Sequence, residues 1–195
     1  MPVLRAREPS TVPYVLPGTV GFLGDEGGLT HQADGSGVIT RGPGTYEGVY
    51  FDDMLYLSGA GTYVFRDCIV EGTEQLWGIF AYDANLGGSS TILLEDCTLR
   101  WKAGDALSTG GQGAIINLGV SLTLTARRCD ISGKADGMQV AGTVLVEDTY
   151  IHDLVWAGVV PDNTHNDGIQ CFEGDLTVTG SYFRVGAQAP FSNSC

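Results

Sequence analysis

A segment of ten residues recurs five times along the chain, and this repeat restricts the fold more than any other feature. The copies are YVFRDCIVEG (63–72), ILLEDCTLRW (92–101), LTARRCDISG (124–133), VLVEDTYIHD (144–153) and LTVTGSYFRV (176–185). Equivalent positions are 29, 32, 20 and 32 residues apart. Such spacing indicates a stack of equivalent units, because one unit is too short to bury its own apolar face.

Each copy is predicted to form a strand, a corner and a second strand. Apolar and polar residues alternate within the copy, as in a strand with one buried face. The alternation breaks at a two-residue polar corner, since Phe65 and Cys68 are three positions apart. Both can face one core only if the chain bends between them. The 29 glycines fall between these short runs, which is typical of tight turns. The pattern therefore predicts an all-β fold of stacked parallel units.

A second family of short strands lies between the copies. Its members are GIFAY (78–82), GAIIN (113–117), DGMQV (136–140) and DGIQC (167–171). The segment EGVYF (47–51) is predicted to be an earlier and weaker member. No ten-residue window carries the apolar stripe of an amphipathic helix, which disfavours a fold of alternating strands and helices.

One column of the repeat holds small residues that are predicted to form an inward structural ladder. These residues are Cys68, Cys97, Cys129, Thr149 and Ser181. A buried free cysteine behaves as a small apolar residue, and threonine and serine are similar in size. The cysteine count is odd and no pair has metal-ligand spacing, so we expect neither a disulfide framework nor a metal site. No cofactor is predicted.

The unit "apolar-x-apolar-x-[D/N]-C-x-apolar" carries a family resemblance. It is clearest in LLEDCTL (93–99) and YVFRDCIV (63–70), and it resembles the coil signature of the pectate-lyase-like superfamily. The resemblance covers about residues 46–186 and implies a single-stranded right-handed parallel β-helix of about five coils. This superfamily includes lyases, hydrolases, adhesins and phage fibres, so the resemblance says more about fold than about function.

The chain is predicted to have four parts. Residues 1–17 contain four prolines and two of the ten basic residues, and they are expected to form an extended N-terminal arm. Residues 18–45 are predicted to be a glycine-rich cap or attachment region, and residues 46–186 to be the parallel β-helix. Residues 187–195 form a C-terminal tail that is short for a cap.

The DGMQ and DGIQ strings contain the candidate site residues. Asp136 and Asp167 precede Gln139 and Gln170, which are predicted to point outward on adjacent units. One interpretation is a ladder of amides with turn-stabilising aspartates, and the other is a carboxylate groove for a sugar or Ca²⁺. His165 lies in the polar string 163–168 and could act as a base beside Asp167. The alternative for that string is turn chemistry.

Neither catalytic set of the related enzymes can be carried over to this sequence. A pectate-lyase-type site needs clustered carboxylates with an Arg or Lys base, and no Arg precedes the aspartates in a recognisable motif. A polygalacturonase-type site needs NxD, DD, GHG and RxK. The chain has one DD pair, Asp52-Asp53, but neither GHG nor RxK. Trp77, Trp101 and Trp156 could stack on sugar rings or pack against the fold.

These observations favour a non-enzymatic structural component of a bacteriophage virion, such as a head decoration, fibre or tail protein. Its expected partners are other virion proteins, contacted through the N-terminal arm, and further copies of itself, with a trimer favoured by the resemblance. The alternative is a lyase or hydrolase of polysaccharides, or a carbohydrate-binding protein that meets surface polysaccharide. The net charge of −13 argues against nucleic acid and membrane partners. No secretory signal is recognised, so we expect assembly in the host cytoplasm and residence in the virion.

Overall fold

The protein consists of short parallel strands arranged in three stacks. The computed structural model describes residues 18–33, 35–72, 77–102, 114–119, 121–133, 135–154 and 167–184. The prediction of an all-β chain is confirmed: besides strands, the described residues form one 3₁₀ turn, Glu26–Gly28, and one short helix, Asp83–Leu86. Every strand pairing in the described chain is parallel. Parallel pairs need a crossover, and here the other two stacks supply it.

The first stack contains seven strands of three or four residues. They are β1 (Thr30–Gln32), β4 (Val49–Phe51), β7 (Ile69–Gly72), β10 (Thr98–Trp101), β13 (Asp130–Ser132), β15 (Tyr150–His152) and β17 (Tyr182–Arg184). These strands share one core-facing position, and β4 also places Val49 in the core. Phe51, Val70, Leu99, Ile131 and Ile151 form this core row in register.

The second and third stacks form one hydrogen-bonded network. The second holds β2 (Val38–Arg41), β5 (Met54–Leu57), β8 (Ile79–Ala81) and β11 (Ala114–Leu118). The third holds β3 (Gly44–Glu47), β6 (Thr62–Arg66), β9 (Ser90–Glu95) and β12 (Leu122–Arg127). Two long strands, β14 (Asp136–Glu147) and β16 (Ile169–Thr179), run through both stacks and join them. The chain therefore visits the three stacks in turn, and we call each such passage a circuit.

The core lies between the stacks and is built from residues that repeat circuit after circuit. In the third stack the inward rows are Tyr63, Ile92, Leu124 and Val144, and Phe65, Leu94, Ala126 and Val146. All eight are buried. Because the side chains of adjacent strands lie about 4.8 Å apart, like residues stack directly on one another. The period-2 alternation of the sequence becomes one buried row beside one exposed row.

The corner between the third and first stacks is made by one residue in the left-handed conformation. The residues with positive φ at this corner are Gly48, Asp67, Asp96, Arg128, Asp148 and Gly180, with φ between 46° and 64°. Each backbone N–H of the first five donates to a carbonyl of the next circuit, for example from Asp67 to Glu95 at 3.1 Å. Of the two residues predicted to form the polar corner, the first is thus the last residue of a strand and only the second makes the turn. Aspartate is common at this second position because it tolerates the left-handed conformation.

The segment EGVYF belongs to a different strand family from the one predicted. Tyr50 pairs with Ile69 and Phe51 with Val70, so this strand lies in the first stack with the corner-following strands. The assignment to the GIFAY family was wrong because glycine takes the corner position at Gly48, and the cysteine that marks later circuits is replaced by Val49. Residues 30–45, within the predicted cap or attachment region, contribute β1, β2 and part of β3 to the stacks.

Candidate functional site

The structure brings Asp136 and Asp167 together at the entry to β14 and β16. The carboxylate of Asp136 accepts hydrogen bonds from Gln139 Nε2 at 2.8 Å and from the backbone N–H of Asp167 at 2.9 Å. The backbone continues the contact, since the N–H of Gly137 donates to the carbonyl of Asp167 at 3.0 Å. His165, the third candidate, lies outside the described residues, as does Trp156.

The carboxylate of Asp136 therefore links two adjacent circuits by hydrogen bonds. Its side chain is buried at 1% exposure and Asp167 is also buried. A general acid or base must reach its substrate directly or through one water molecule. The buried carboxylate of Asp136 is not placed to do so. Gln139, predicted to point outward, is nearly buried because its amide donates to Asp136. Gln170 pairs with Gln139 in register and is half-buried.

The cysteine column lies inside the stack next to the left-handed corner. Cys68, Cys97, Cys129 and Thr149 are buried, and Ser181 in the last circuit is partly exposed. Each donates from its thiol or hydroxyl to the carbonyl two residues earlier, at distances from 2.9 Å for Thr149 to 3.5 Å for Cys129. The four described cysteines are free.

Two thiols of the column, those of Cys97 and Cys129, are unreactive by position, whereas a hydrogen bond with Cys97 lowers the pKa of Cys68. Burial raises the pKa of the Cys129 thiol to about 12 and raises the pKa of Cys97 well above its ordinary value. Both therefore stay protonated at neutral pH, and only a thiolate is a good nucleophile or metal ligand. No group of three His, Cys, Asp or Glu side chains within the described ranges has the geometry of a metal site.

Opposite charges alternate along the outer edge of the third stack. Arg66 Nε donates to Glu95 at 3.0 Å, and Arg127 bonds to Glu147 at 2.6 Å. Arg128 bridges Glu95 and its circuit neighbour Asp96. Burial opposes ionisation of Glu95, but hydrogen bonds from Arg66 and Arg128 outweigh it and lower its pKa. This row stabilises the pairing of adjacent strands, since each charge faces an opposite charge on the neighbouring circuit.

Residues 18–29 form a strap over the outer face of the first stack. Val20 packs against Tyr150 of β15, the backbone N–H of Gly21 donates to the carbonyl of Arg128 at 2.8 Å, and that of Phe22 donates to Thr98 Oγ1 at 3.0 Å. The strap thus runs from the circuit of β15 back toward β1, against the order of the circuits. We call it the N-terminal strap.

A partly buried ionic cluster holds the strap in place. Arg100 donates from Nε to Glu71 at 2.7 Å and from both terminal nitrogens to Glu26 at 2.9 and 3.1 Å. Tyr50 donates to the other oxygen of Glu71 at 2.6 Å, and burial together with this bond raises the pKa of Tyr50 to about 12. This cluster was not predicted from the sequence. Its members are 21 to 74 residues apart, and only the register of β4, β7 and β10 reveals that they meet.

His152 forms a second polar contact on the same face. Its ring nitrogens are hydrogen-bonded to the carboxylates of Asp130 and Asp153, each at 2.9 Å. The ring also stacks on Tyr150 at a centroid distance of 4.0 Å. Burial opposes its protonation, but the hydrogen bonds and charges of the two aspartates outweigh burial and raise its pKa above 6.5.

Four aromatic side chains, of which Tyr82 is exposed and the others are partly buried, form a shelf on the second stack. Tyr56 and Phe80 are neighbours in register and stack at 5.6 Å, and Phe80 stacks on Tyr82 at 5.4 Å. Trp77 packs at 4.5 Å from Phe80. Tyr82 is about half exposed. We call these four residues the aromatic shelf. Trp77 was a sequence candidate for sugar stacking, and the structure adds three partners.

The N-terminal end of the stack is closed by polar side chains. Arg41 and Gln32 take core-facing positions, in register with Leu57 and Phe51, and Arg41 donates to Gln32 Oε1. The guanidinium lies 5.7 Å from the centre of the Phe51 ring. Such side chains cover apolar surface with their stems and keep the charge near water, so they make a cap.

The C-terminal end of the stack is open by contrast. The far edges of β16 and β17 pair with no strand among the described residues. Val178 continues the buried row of Val146 but is 39% exposed, and Leu176 and Cys171 are also less buried than Val144 and Val140, their register partners. An unpaired strand edge with apolar side chains is a site for pairing with another chain or segment.

Comparisons with known proteins complete the description. In the described part of the chain, no helix has the length and apolar character needed to span a membrane. No protein-family model, curated protein or solved structure matches the chain.

Proposed function

We propose that this protein is a non-enzymatic structural component of a bacteriophage virion, such as a head decoration, fibre or tail protein, built on one right-handed parallel β-helix. The three parallel stacks with in-register core rows support the β-helix, since repeated circuits of this kind are the architecture that the sequence resemblance implies. The nearly buried Asp136, whose two oxygens both accept hydrogen bonds, supports a structural role for the DGMQ and DGIQ strings.

The observation that carries the structural proposal is the difference between the two ends. The N-terminal end is closed by Arg41 and Gln32, whereas at the C-terminal end no strand of the described residues pairs with the far side of the eleven-residue strand Ile169–Thr179. A free monomeric solenoid needs a cap at each end. An end that binds another chain needs no cap of its own. Self-association, or docking on a larger particle, would bury this end.

The strap begins near the same end. Val20 of the strap lies on Tyr150, one circuit before the last, and residues 1–17 precede it. We propose that the arm and the open end together contact other virion proteins and further copies of this chain, with a trimer as the expected state. The acidic character of the remaining surface keeps many copies soluble before they assemble.

Light scattering and electron microscopy of the purified chain test this proposal. We expect a discrete oligomer at high protein concentration and its loss in Val178→Lys, which places a charge on the open end. Leu23→Lys is the matched control, because Leu23 is 56% exposed on the strap, away from that end. A chain that stays monomeric at every concentration, with residues 2–17 present or deleted, contradicts the proposal.

A carbohydrate-binding or polysaccharide-processing protein is the second candidate, and the aromatic shelf favours it. Sugar rings stack on exposed aromatic side chains, and Tyr82 offers a half-exposed ring beside Phe80. Affinity electrophoresis with acidic and neutral polysaccharides should then show retardation that Tyr82→Ala removes. Phe172→Ala is the control, since Phe172 is an exposed aromatic residue outside the shelf. Turnover of a polysaccharide that Asp136→Ala and Asp167→Ala abolish, in variants that remain folded, would establish the enzyme.

A further inference from the structure

We infer that the protonation state of His152 controls how tightly the N-terminal strap binds the first stack. When the imidazole ring carries two protons, residues 18–22 of the strap are held on β13 and β15, and when the ring loses one proton they detach more often. The inference goes beyond the proposed structural function and does not depend on it. It is carried by the two carboxylates that face the ring and by the contacts that join the ring to the strap.

The hydrogen bonds of His152 require two ring protons. Nδ1 lies 2.9 Å from a carboxylate oxygen of Asp153, and Nε2 lies 2.9 Å from a carboxylate oxygen of Asp130. An ionised carboxylate only accepts hydrogen bonds, so both contacts are satisfied only when both ring nitrogens carry a hydrogen. In the neutral ring one nitrogen is an acceptor. Loss of a proton therefore places two acceptors against each other at one contact and removes the positive charge that compensates both aspartates.

The charged groups around the ring favour the doubly protonated form. Asp130 faces the ring from β13, and Asp153 follows it in the chain. Arg184 is the register partner of His152 on β17, and it is exposed, so water screens its repulsion. The uncharged neighbours from the same strands and from the strap are Ser132, Tyr150, Tyr182 and Val20. Burial opposes protonation, but the two aspartates outweigh it and raise the pKa of His152 above 6.5.

Two contacts join the ring to the strap. The ring stacks on Tyr150 at a centroid distance of 4.0 Å, and Tyr150 packs against Val20. On the other side of the ring, Asp130 lies against Gly21, since a Cβ atom added to Gly21 would lie 2.6 Å from the Cβ atom of Asp130. Such a close approach is possible only because glycine has no side chain. The strap therefore rests on the two residues that His152 contacts most closely.

Deprotonation weakens this contact at its more buried partner. Asp130 is 21% exposed, whereas Asp153 is 65% exposed and is solvated whichever form the ring takes. Once the ring is neutral, the carboxylate of Asp130 has no compensating charge from His152, and water becomes its best additional partner. Detachment of residues 18–22 admits water to that carboxylate. The bound strap is therefore favoured at pH values below the pKa of the ring and loses this advantage as the pH rises through it.

The other half of the strap has an anchor with a different pH dependence. The carboxylate of Glu26 accepts hydrogen bonds from both terminal nitrogens of Arg100, and these bonds lower the pKa of Glu26. This pair stays ionised as the pH rises through the pKa of His152. Release is therefore confined to residues 18–22, and both anchors hold only between the lowered pKa of Glu26 and the raised pKa of His152.

Hydrogen exchange at two strap amides measures the release directly. The N–H of Gly21 donates to the carbonyl of Arg128 and that of Phe22 donates to Thr98 Oγ1, so both are protected only while the strap is bound. Protection factors, corrected for the intrinsic exchange rate at each pH, are measured by NMR in dilute protein from about pH 5.5 to about pH 8.5. We expect both factors to fall by about fivefold or more across this range, which is the lower end of the usual coupling between two sites. The fall should level off above the pKa of His152, which the carbon-bound ring protons report in the same samples.

Two substitutions and an internal control assign the effect to this ring. His152→Gln should remove the pH dependence of both strap amides, because glutamine does not titrate. His31→Gln should leave it unchanged, because His31 lies on β1 and its charged neighbour is Asp52. The amide of Asp67, which donates to the carbonyl of Glu95 at the corner after the third stack, should keep the same protection throughout.

The parent chain alone can overturn the inference, so misfolding of a variant does not affect the test. Protection factors of Gly21 and Phe22 that stay constant while the His152 ring titrates would overturn it. A fall that persists in a folded His152→Gln chain would do the same, since another group would then control the strap. A fall that occurs only at concentrations where light scattering detects oligomers would assign the effect to assembly and would also overturn the inference.

Discussion

Replacing Arg100 by methionine tests the ionic cluster that fastens the strap. The guanidinium is the common partner of Glu71 beneath it and Glu26 above it. Methionine keeps much of the apolar stem and removes the charge and all three hydrogen bonds. Glu71, which is only 8% exposed, then retains Tyr50 as its one neighbouring donor in the cluster.

The magnitude follows from the burial of each partner. Removing one member of a fully buried ion pair costs about 3–5 kcal/mol, because an uncompensated charge stays in the protein. Arg100 is 31% exposed, so water replaces part of what is lost, and we expect a loss of about 2–3 kcal/mol in the free energy of unfolding. Glu26 is half exposed, and Glu26→Gln should cost less than about 1 kcal/mol.

Urea denaturation at neutral pH, followed by circular dichroism, measures these values. Adding Glu71→Gln to Arg100→Met should recover about half of the loss or more, since a neutral amide can still accept from Tyr50 without a buried charge. Arg66→Met is the matched control, because Arg66 pairs with Glu95 at the surface and should cost about 0.5 kcal/mol. Equal costs for Arg100→Met and Arg66→Met would refute the reasoning.

Three further predictions address Gly174 inside β16, the pH dependence and the cysteine column. In urea denaturation, Gly174→Ala should lower the free energy of unfolding by more than about 3 kcal/mol, because φ is 100° and the new Cβ would lie 2.0 Å from the carbonyl oxygen of Gly142. Gly35→Ala is the control, because Gly35 also has a positive φ but has open space around it. It should lower the free energy of unfolding by about 1 kcal/mol. The parent chain should be more stable than His152→Gln by the largest margin below pH 6.5, because the folded state holds the protonated imidazole more tightly than the unfolded state does. This margin should decline as the pH rises through the raised pKa of His152 in the folded protein. A margin that grows with pH would contradict the assigned contacts. In thermal denaturation, Cys97→Ser should lower the stability by about 1 kcal/mol or less, since a hydroxyl group already occupies this column at Thr149. Cys97→Leu should lower it by about 1–3 kcal/mol, since the added volume does not fit the column.

The periodic features of the sequence predicted what depends on local pattern. The alternation around Phe65 and Leu94 identified strands with one buried face, and the repeat identified stacking. The first circuit was not recognised in full, because Gly48 and Val49 replace the polar corner and the cysteine that mark later circuits. The turn at Gly48 has the same conformation as that at Asp67, but the two residues share no side-chain chemistry.

The site features that depend on register could not be predicted. Arg100 and Glu71 meet because β7 and β10 align at those positions, and Glu26 joins them because the strap returns along the stack. No local signal marks such a return. Asp136 could be found as a candidate, but its burial follows from the stacking of β14 against the circuit that contains Asp167.

Spin-label distances along one exposed row test the central claim that successive circuits stack in parallel register. Thr62, Thr91, Thr123, Thr143 and Asp175 face outward and are neighbours in register on five adjacent strands. Labels are placed in pairs in a chain whose exposed native cysteines are replaced by serine. Dipolar EPR should give distances from Thr62 that rise by about 4.8 Å per strand, to roughly 19 Å at Asp175. Distances that do not increase in this order, as in an antiparallel sandwich, would contradict the stack.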